Sequence, residues 1–186
     1  MKFTKQLTLA VASLLVTGSA LAAGYATYEY SEEENRATSA NNIANAVVVG
    51  VKAAEGWDYS LKTSTSQTAL GSGTISSGLE VRAKKSFGAF YLGGRLGESI
   101  KSTTHFSYYA VDAGVKFPLV AGFTGDVGGR YRNAIDSDVN STYETQRVHA
   151  TVGYALTKKD AVAVRFSRSY GDEEKDAWRL SYTRSF

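Results

Sequence analysis

The sequence of 186 residues has no cysteine, one proline and two histidines. The missing thiol removes disulfides, cysteine nucleophiles and cysteine-based metal sites together; an oxidising compartment is permitted but not required. His105 and His149 are the only imidazoles available for acid–base chemistry. A large excess of one charge is missing as well, with 21 basic residues against 18 acidic ones. A nucleic-acid binder would carry a large, clustered basic surplus, so that class is excluded. Long apolar runs are scarce. Beyond the N-terminus the best is AVVVGV at 46–51, far short of the about 20 residues of a membrane helix. What is abundant is glycine, at 18, and tyrosine, at 12, a composition suited to many short strands.

Residues 1–22 have the three parts of a secretory signal peptide. Lys2 and Lys5 supply a charged start, LTLAVASLLV at 7–16 an apolar centre too short to span a bilayer, and Ala20-Leu21-Ala22 the small-residue exit. Cleavage after Ala22 leaves residues 23–186 as one domain, near charge balance. That domain has no helix able to cross a membrane. If it crosses one, it does so as strands closed into a barrel, because only helices and closed barrels satisfy backbone polar groups in lipid.

Alternation with a period of two runs through 23–186. In the last segment Trp178, Leu180, Tyr182 and Phe186 share one side, and Arg179, Ser181, Thr183 and Ser185 the other. Val162, Val164 and Phe166 oppose Ala163, Arg165 and Ser167; Val148, Ala150, Val152 and Tyr154 oppose Arg147, His149 and Thr151. The same reading backwards along the chain predicts an antiparallel, up-and-down, all-β barrel of about ten strands, with eight or twelve open. Tight turns are predicted at 53–56, 84–86, 118–122 and 157–160. Longer polar loops are predicted at 31–42, 65–73, 98–104, 133–142 and 171–176, on the opposite end of the barrel. The paired glycines 93–94 and 128–129 suit strand curvature and close packing better than phosphate binding.

A soluble barrel alternates too, so sidedness needs its own argument. Aromatic residues collect near strand ends on the apolar face: Trp57, Tyr59, Phe117, Phe123 and Tyr154 by the short turns, and Tyr30, Tyr109, Tyr131, Tyr170 and Trp178 by the long loops. Two such rows match interfacial girdles. The polar face collects Lys52, Lys62, Arg82, Arg95, Lys116, Arg130, Arg132, Arg147, Arg165 and Arg179, with Glu29, Asp58, Glu80, Asp112 and Asp126 among them. A charge facing lipid at mid-membrane costs about 2–4 kcal/mol, which accounts for the segregation. These fifteen side chains are therefore expected to line a lumen. Arg168 and Arg184 fall on the apolar side near strand ends, from where they can snorkel to the interface.

The segment 178–186, WRLSYTRSF, alternates and ends on phenylalanine, and resembles the assembly signal of outer-membrane proteins. With the leader and the hairpin series, the chain resembles the small Gram-negative outer-membrane β-barrels of the OmpA/OmpX-like or small-porin kind. That resemblance implies a place in the bacterial outer membrane among lipid and lipopolysaccharide. It also implies handling by periplasmic chaperones and by the barrel-assembly machinery, with Trp178, Leu180, Tyr182 and Phe186 as the assembly signal. Arg184 departs from the pattern, which has an apolar residue there.

Roughly eight strands give an interior that side chains fill, and 16 or more an open channel. Three functions stay in view. A narrow passive channel would favour small anions, given about two inward bases for each inward acid. A plugged, non-conducting barrel would be braced by ion pairs and would contact partners through its loops. There the acids Glu32, Glu33 and Glu34 and Asp172, Glu173, Glu174 and Asp176 could hold divalent cations that bridge lipopolysaccharide. An enzyme is disfavoured: His105 is read as a loop residue without a partner, and His149 as lying among Arg147 and Thr151 with no carboxylate to orient it. No cofactor, metal or nucleic-acid partner is expected, and the protein is read as a monomer.

Overall fold

The computed structural model describes residues 23–68, 75–101, 105–135 and 143–186. The segment 1–22, read as a leader, lies outside the described residues, as do parts of three of the long loops. Ten strands form one closed antiparallel barrel. They are β1 (Ala23–Asn35), β2 (Asn41–Lys52), β3 (Trp57–Thr68), β4 (Ile75–Phe87), β5 (Phe90–Lys101), β6 (His105–Pro118), β7 (Phe123–Ala134), β8 (Thr145–Ala155), β9 (Asp160–Gly171) and β10 (Lys175–Ser185). Each strand pairs with its sequence neighbours. The ring closes where β1 meets β10, from Tyr25 opposite Ser185 to Asn35 opposite Lys175. Closure removes both edges, which every open sheet in lipid would leave unpaired.

The strand count is that predicted from alternation, but the boundaries shift. Residues 84–86, expected as a turn, belong to β4; the reversal is the two-residue link Gly88-Ala89 between the paired Phe87 and Phe90. Gly88 has φ of 63°, the left-handed conformation a two-residue hairpin demands and glycine supplies without strain. The polar stretches 31–42 and 171–176 also shrink. Strands β1 and β2 run out to Asn35 and Asn41, and β9 and β10 to Gly171 and Lys175. Polar residues read as loop therefore continue the ladder, because backbone pairing does not stop where the apolar band does.

The sidedness is inside-out relative to a soluble barrel. Phe166 is 65% exposed and Val127 51%, whereas Asp112 is 3% exposed and Glu80 7%. Large apolar side chains cover the outer wall and charged ones fill the interior, so the outer wall is suited to hydrocarbon and the polar groups find partners within. On the outer wall near the long loops, Tyr30 packs on Trp178 with ring centroids 5.6 Å apart, and Tyr109 on Tyr131 at 6.4 Å. Near the short turns Trp57 stacks on Tyr59 at 5.7 Å and Phe123 meets Tyr154 at 4.6 Å. Val164 lies between these rows, opposite Val152 and Leu180. The substitution Val164→Arg is expected to destabilise the barrel by about 2–4 kcal/mol, read by denaturant unfolding in lipid vesicles.

Glycine lets the inner wall pack. A Cβ on Gly114 would sit 2.3 Å from the Tyr91 hydroxyl oxygen, and one on Gly128 2.5 Å from it. The Tyr91 ring thus lies against bare backbone of β6 and β7, which brings its hydroxyl to the inward face of β7.

Candidate functional site

The interior divides into a tight cluster on one side and an accessible lane on the other. In the cluster, Arg95 on β5 donates through Nη1 to Glu80 Oε1 at 2.5 Å, through Nη2 to Asp112 Oδ1 at 3.0 Å, and through Nε to Asp112 Oδ2. Arg130 Nε donates to Asp112 Oδ1 at 3.0 Å, and the Tyr108 hydroxyl to Glu80 Oε2 at 3.1 Å. Side-chain exposure is 8% for Arg95, 9% for Glu80 and 4% for Asp112. Buried charges of this kind persist only when paired and hydrogen-bonded. Neighbouring strands β4, β5, β6 and β7 supply the four charged members: Asp112 and Arg130 are directly opposite, and Arg95 lies opposite positions two residues from Glu80 and from Asp112.

The lane runs past Glu29. Lys62 Nζ lies 2.5 Å and Arg179 Nη1 3.2 Å from Glu29 Oε2. Here exposure is 16–20%. Three cavities border the Glu29 side, and two of them also touch Glu80 and Arg130 of the cluster across from it. One of ≈ 180 Å³ lies towards the long loops and includes Glu29, Lys62 and Arg179 in its wall. One of ≈ 120 Å³ lies at mid-height, again against Glu29, Lys62 and Arg179. One of ≈ 630 Å³ widens towards the short turns and is bounded by Glu29, Arg179, Lys52, Lys84, Lys116 and Arg165 among others.

The two ends differ in charge. At the long-loop end, Glu173 accepts from Arg132 Nη2 at 2.9 Å and from the Tyr143 hydroxyl, and Lys175 Nζ lies 3.5 Å from Glu173 and 3.7 Å from Glu33. Burial pushes the Tyr143 hydroxyl above the usual tyrosine range, so it remains protonated and a donor. Phe106 packs against the Tyr143 ring at 4.2 Å. At the short-turn end, Asp58 is held by Lys84 Nζ at 3.3 Å and the Tyr25 hydroxyl at 2.8 Å. Arg82, Lys116, Arg165 and Lys52 form no salt bridge with a described carboxylate. Arg165 donates instead to Thr151 Oγ1 at 2.9 Å, and Arg147, higher up, to Ser169 Oγ at 2.8 Å.

No family model matches the chain, and no curated protein matches it. Among solved structures it is similar to the β domain of the Bordetella autotransporter Brka (TM-score 0.51, 12% identity, covering 89% of this chain and 99% of that one). It is similar to the KdgM porin (TM-score 0.51, 13% identity, 86% of this chain and 99% of that one). An outer membrane channel from Pseudomonas putida F1 gives a TM-score of 0.50 at 11% identity, over 89% of this chain and 96% of that one. The fold is that of the outer-membrane β-barrels. At this identity the likeness is one of fold.

Within the outer-membrane barrel fold, several sequence expectations change. His149, read as lacking a carboxylate, lies with Nε2 2.7 Å from Asp126 Oδ1, and the Tyr91 hydroxyl is 3.3 Å from both. His105 opens β6 rather than sitting in a loop, with Nε2 3.7 Å from Glu98 Oε2. Arg168, read as an interfacial arginine on the apolar side, has a partner there as well, held bidentate by Asp176 at 2.7 Å and 2.7 Å. Arg184 lies 3.5 Å from Asp160. The acids read as open loop charges are engaged: Glu33 and Glu173 inward, Glu32 on the outer wall accepting from Trp178 Nε1 at 3.2 Å and Tyr30 at 2.7 Å.

Lys84, Glu33, Lys175, Glu173 and Tyr143 are interior residues that sequence reasoning missed. Continuing the parity of Glu80 and Arg82 by two reaches Lys84, and that of Glu29 by four reaches Glu33. Nothing local marks Tyr143 or Glu173. Of the residues resembling an assembly signal, Trp178, Leu180 and Tyr182 sit on the outer wall of β10, and Phe186 donates its N–H to the Gly24 carbonyl at 2.9 Å.

Proposed function

We propose that the protein is a narrow passive channel of the bacterial outer membrane, with a basic lumen that favours small anions and no catalytic role. The observation that carries this reading is the run of three cavities that share Glu29 and Arg179 as walls, two of them with Lys62 as well. An anion moving along it meets Lys62, Arg82, Arg95, Arg130, Arg165 and Arg179 at the narrow mid-height, against the acids Glu29 and Glu80, and then a vestibule where bases again outnumber acids. Ten strands bring the barrel near the size at which side chains fill the interior, so the path is narrow and no wide pore forms. The likeness of fold to a porin and to an outer membrane channel supports the same reading. The fifteen lumen residues named from parity would then be the lining. Trp178, Leu180, Tyr182 and Phe186 would be read by the assembly machinery, after escort by periplasmic chaperones.

A second reading is favoured by the Arg95 cluster. If the Glu29 lane closes as tightly as the Glu80–Arg95–Asp112 side, the barrel is a structural one without conductance. Recordings of the refolded protein in planar bilayers separate the two. Small discrete steps with anion preference in a salt gradient are expected. Silence rejects the channel, and cation preference rejects the basic lining as its selectivity element.

A further inference from the structure

Where the short-turn vestibule narrows upward, a chamber of ≈ 90 Å³ lies against Arg82, Lys84, Arg95, Lys116 and Arg165, with Asp112 and Asp126 as its acids. Both acids are spoken for. Asp112 accepts from Arg95 and Arg130, and Asp126 from His149 and Tyr91. Lys84 and Arg95 have their own carboxylates in Asp58, and in Glu80 and Asp112. Three cations are left. Arg82, Lys116 and Arg165 make no salt bridge with a described carboxylate. Lys116 Nζ stands 6.0 Å from the centroid of the Tyr91 ring, an attractive but weak contact. The Arg82 Nε is buried and finds no hydrogen-bond acceptor among the described residues. A buried guanidinium N–H without an acceptor is rare, and three uncompensated cations facing one small space repel each other.

We propose that this chamber binds one compact tetrahedral oxyanion of the phosphate or sulfate class, entering from the short-turn side. Such an ion offers four oxygens with broad acceptor capacity, so it can take a guanidinium N–H from Arg82 and from Arg165 while lying beside the Lys116 ammonium. The chamber is too small for a sugar ring, and it shares Arg82, Lys84, Lys116 and Arg165 as walls with the ≈ 630 Å³ vestibule, the side from which an ion would approach. Chloride satisfies the charge but draws every donor onto one atom, whereas an oxyanion spreads its acceptor oxygens towards donors that come from separate strands. The site shares its basic lining with the proposed channel, yet binding requires no conduction.

The full-length protein, refolded in detergent, tests this through thermal unfolding at constant ionic strength, with sulfate or phosphate exchanged against chloride. A saturable rise in unfolding temperature at millimolar sulfate is expected. General exclusion of sulfate from protein surfaces would instead stabilise without saturating. Losing one charge-assisted contact is expected to weaken apparent affinity by about tenfold in Arg82→Gln and in Lys116→Gln. Arg168→Gln, on the outer wall, is expected to leave it unchanged. A saturable shift weakened in either lumen variant supports the site. A shift that never saturates, or one that both lumen variants retain, overturns it. Silence in bilayers together with a saturable shift would reject the channel and leave this site standing.

Discussion

Replacing Arg95 by methionine is expected to lower barrel stability by about 3–5 kcal/mol, because it leaves two buried carboxylates facing each other without their shared cation. Arg95 uses Nε, Nη1 and Nη2, all on Glu80 and Asp112. Tyr108 and Arg130 would remain as partners, but neither spans both acids. The check is urea unfolding in vesicles or detergent, together with the temperature at which the folded form stops migrating as a compact band. Removing the acids as well, in Arg95→Met with Glu80→Gln and Asp112→Asn, is expected to recover most of the loss, since a desolvated charge costs more than the pair contributes. A triple variant as unstable as the single one would show that Arg95 acts through packing and not through charge. The single effects cannot be summed, because the three side chains share one hydrogen-bonded unit.

The second large effect concerns selectivity. In the double variant Lys62→Gln and Arg179→Gln, Glu29 keeps its negative charge and loses both salt-bridge partners. A unit charge about 4 Å from a permeating ion contributes about 4 kcal/mol at an effective dielectric near 20, so this exchange is expected to turn anion preference into cation preference. The reversal potential in a salt gradient should change sign. Adding Glu29→Gln should restore a weaker anion preference, set by the vestibule bases, and raise conductance, since the lane loses its charged bridge. If the double variant keeps anion preference, the ions do not pass Glu29, and the vestibule residues set selectivity instead.

Stability and selectivity thus fall on two groups of side chains that face one another across the mid-height cavity. The Glu80–Arg95–Asp112 side gives up water access for bracing, and the Glu29–Lys62–Arg179 side keeps partial access at 16–20% exposure. A narrow barrel needs the first to hold its cross-section against collapse of uncompensated charge, and the second to offer a path. The contacts of Glu173 with Arg132, Tyr143 and Lys175 place a further set of partners across the mouth.

Much of this was legible along the chain, and the part that was not has a definite cause. Alternation in β10, from Trp178 to Ser185, and in β9, from Val162 to Ser167, reports which face each side chain takes, since a strand's period is two whatever surrounds it. That is enough to predict a barrel of about ten strands with charge on one face. The turn near Gly88 was misplaced because Lys84, Lys85 and Ser86 look like turn residues, while the decisive signal was one glycine able to adopt positive φ. The sequence shows no carboxylate for His149, because its neighbours along the strand are basic or polar. Asp126 reaches it from β7, in the register that sets Gly128 opposite His149.

The amino-acid sequence by itself determined the period, the two faces and their opposite polarity, because these depend only on the order of residues along an extended backbone. The tertiary structure alone decided the register in which β1 meets β10, which carboxylate each base meets, and which bases meet none. Those outcomes depend on relative height and tilt of strands around the ring, so Arg82 and Arg95, opposite each other across β4 and β5, end with no described carboxylate and with two.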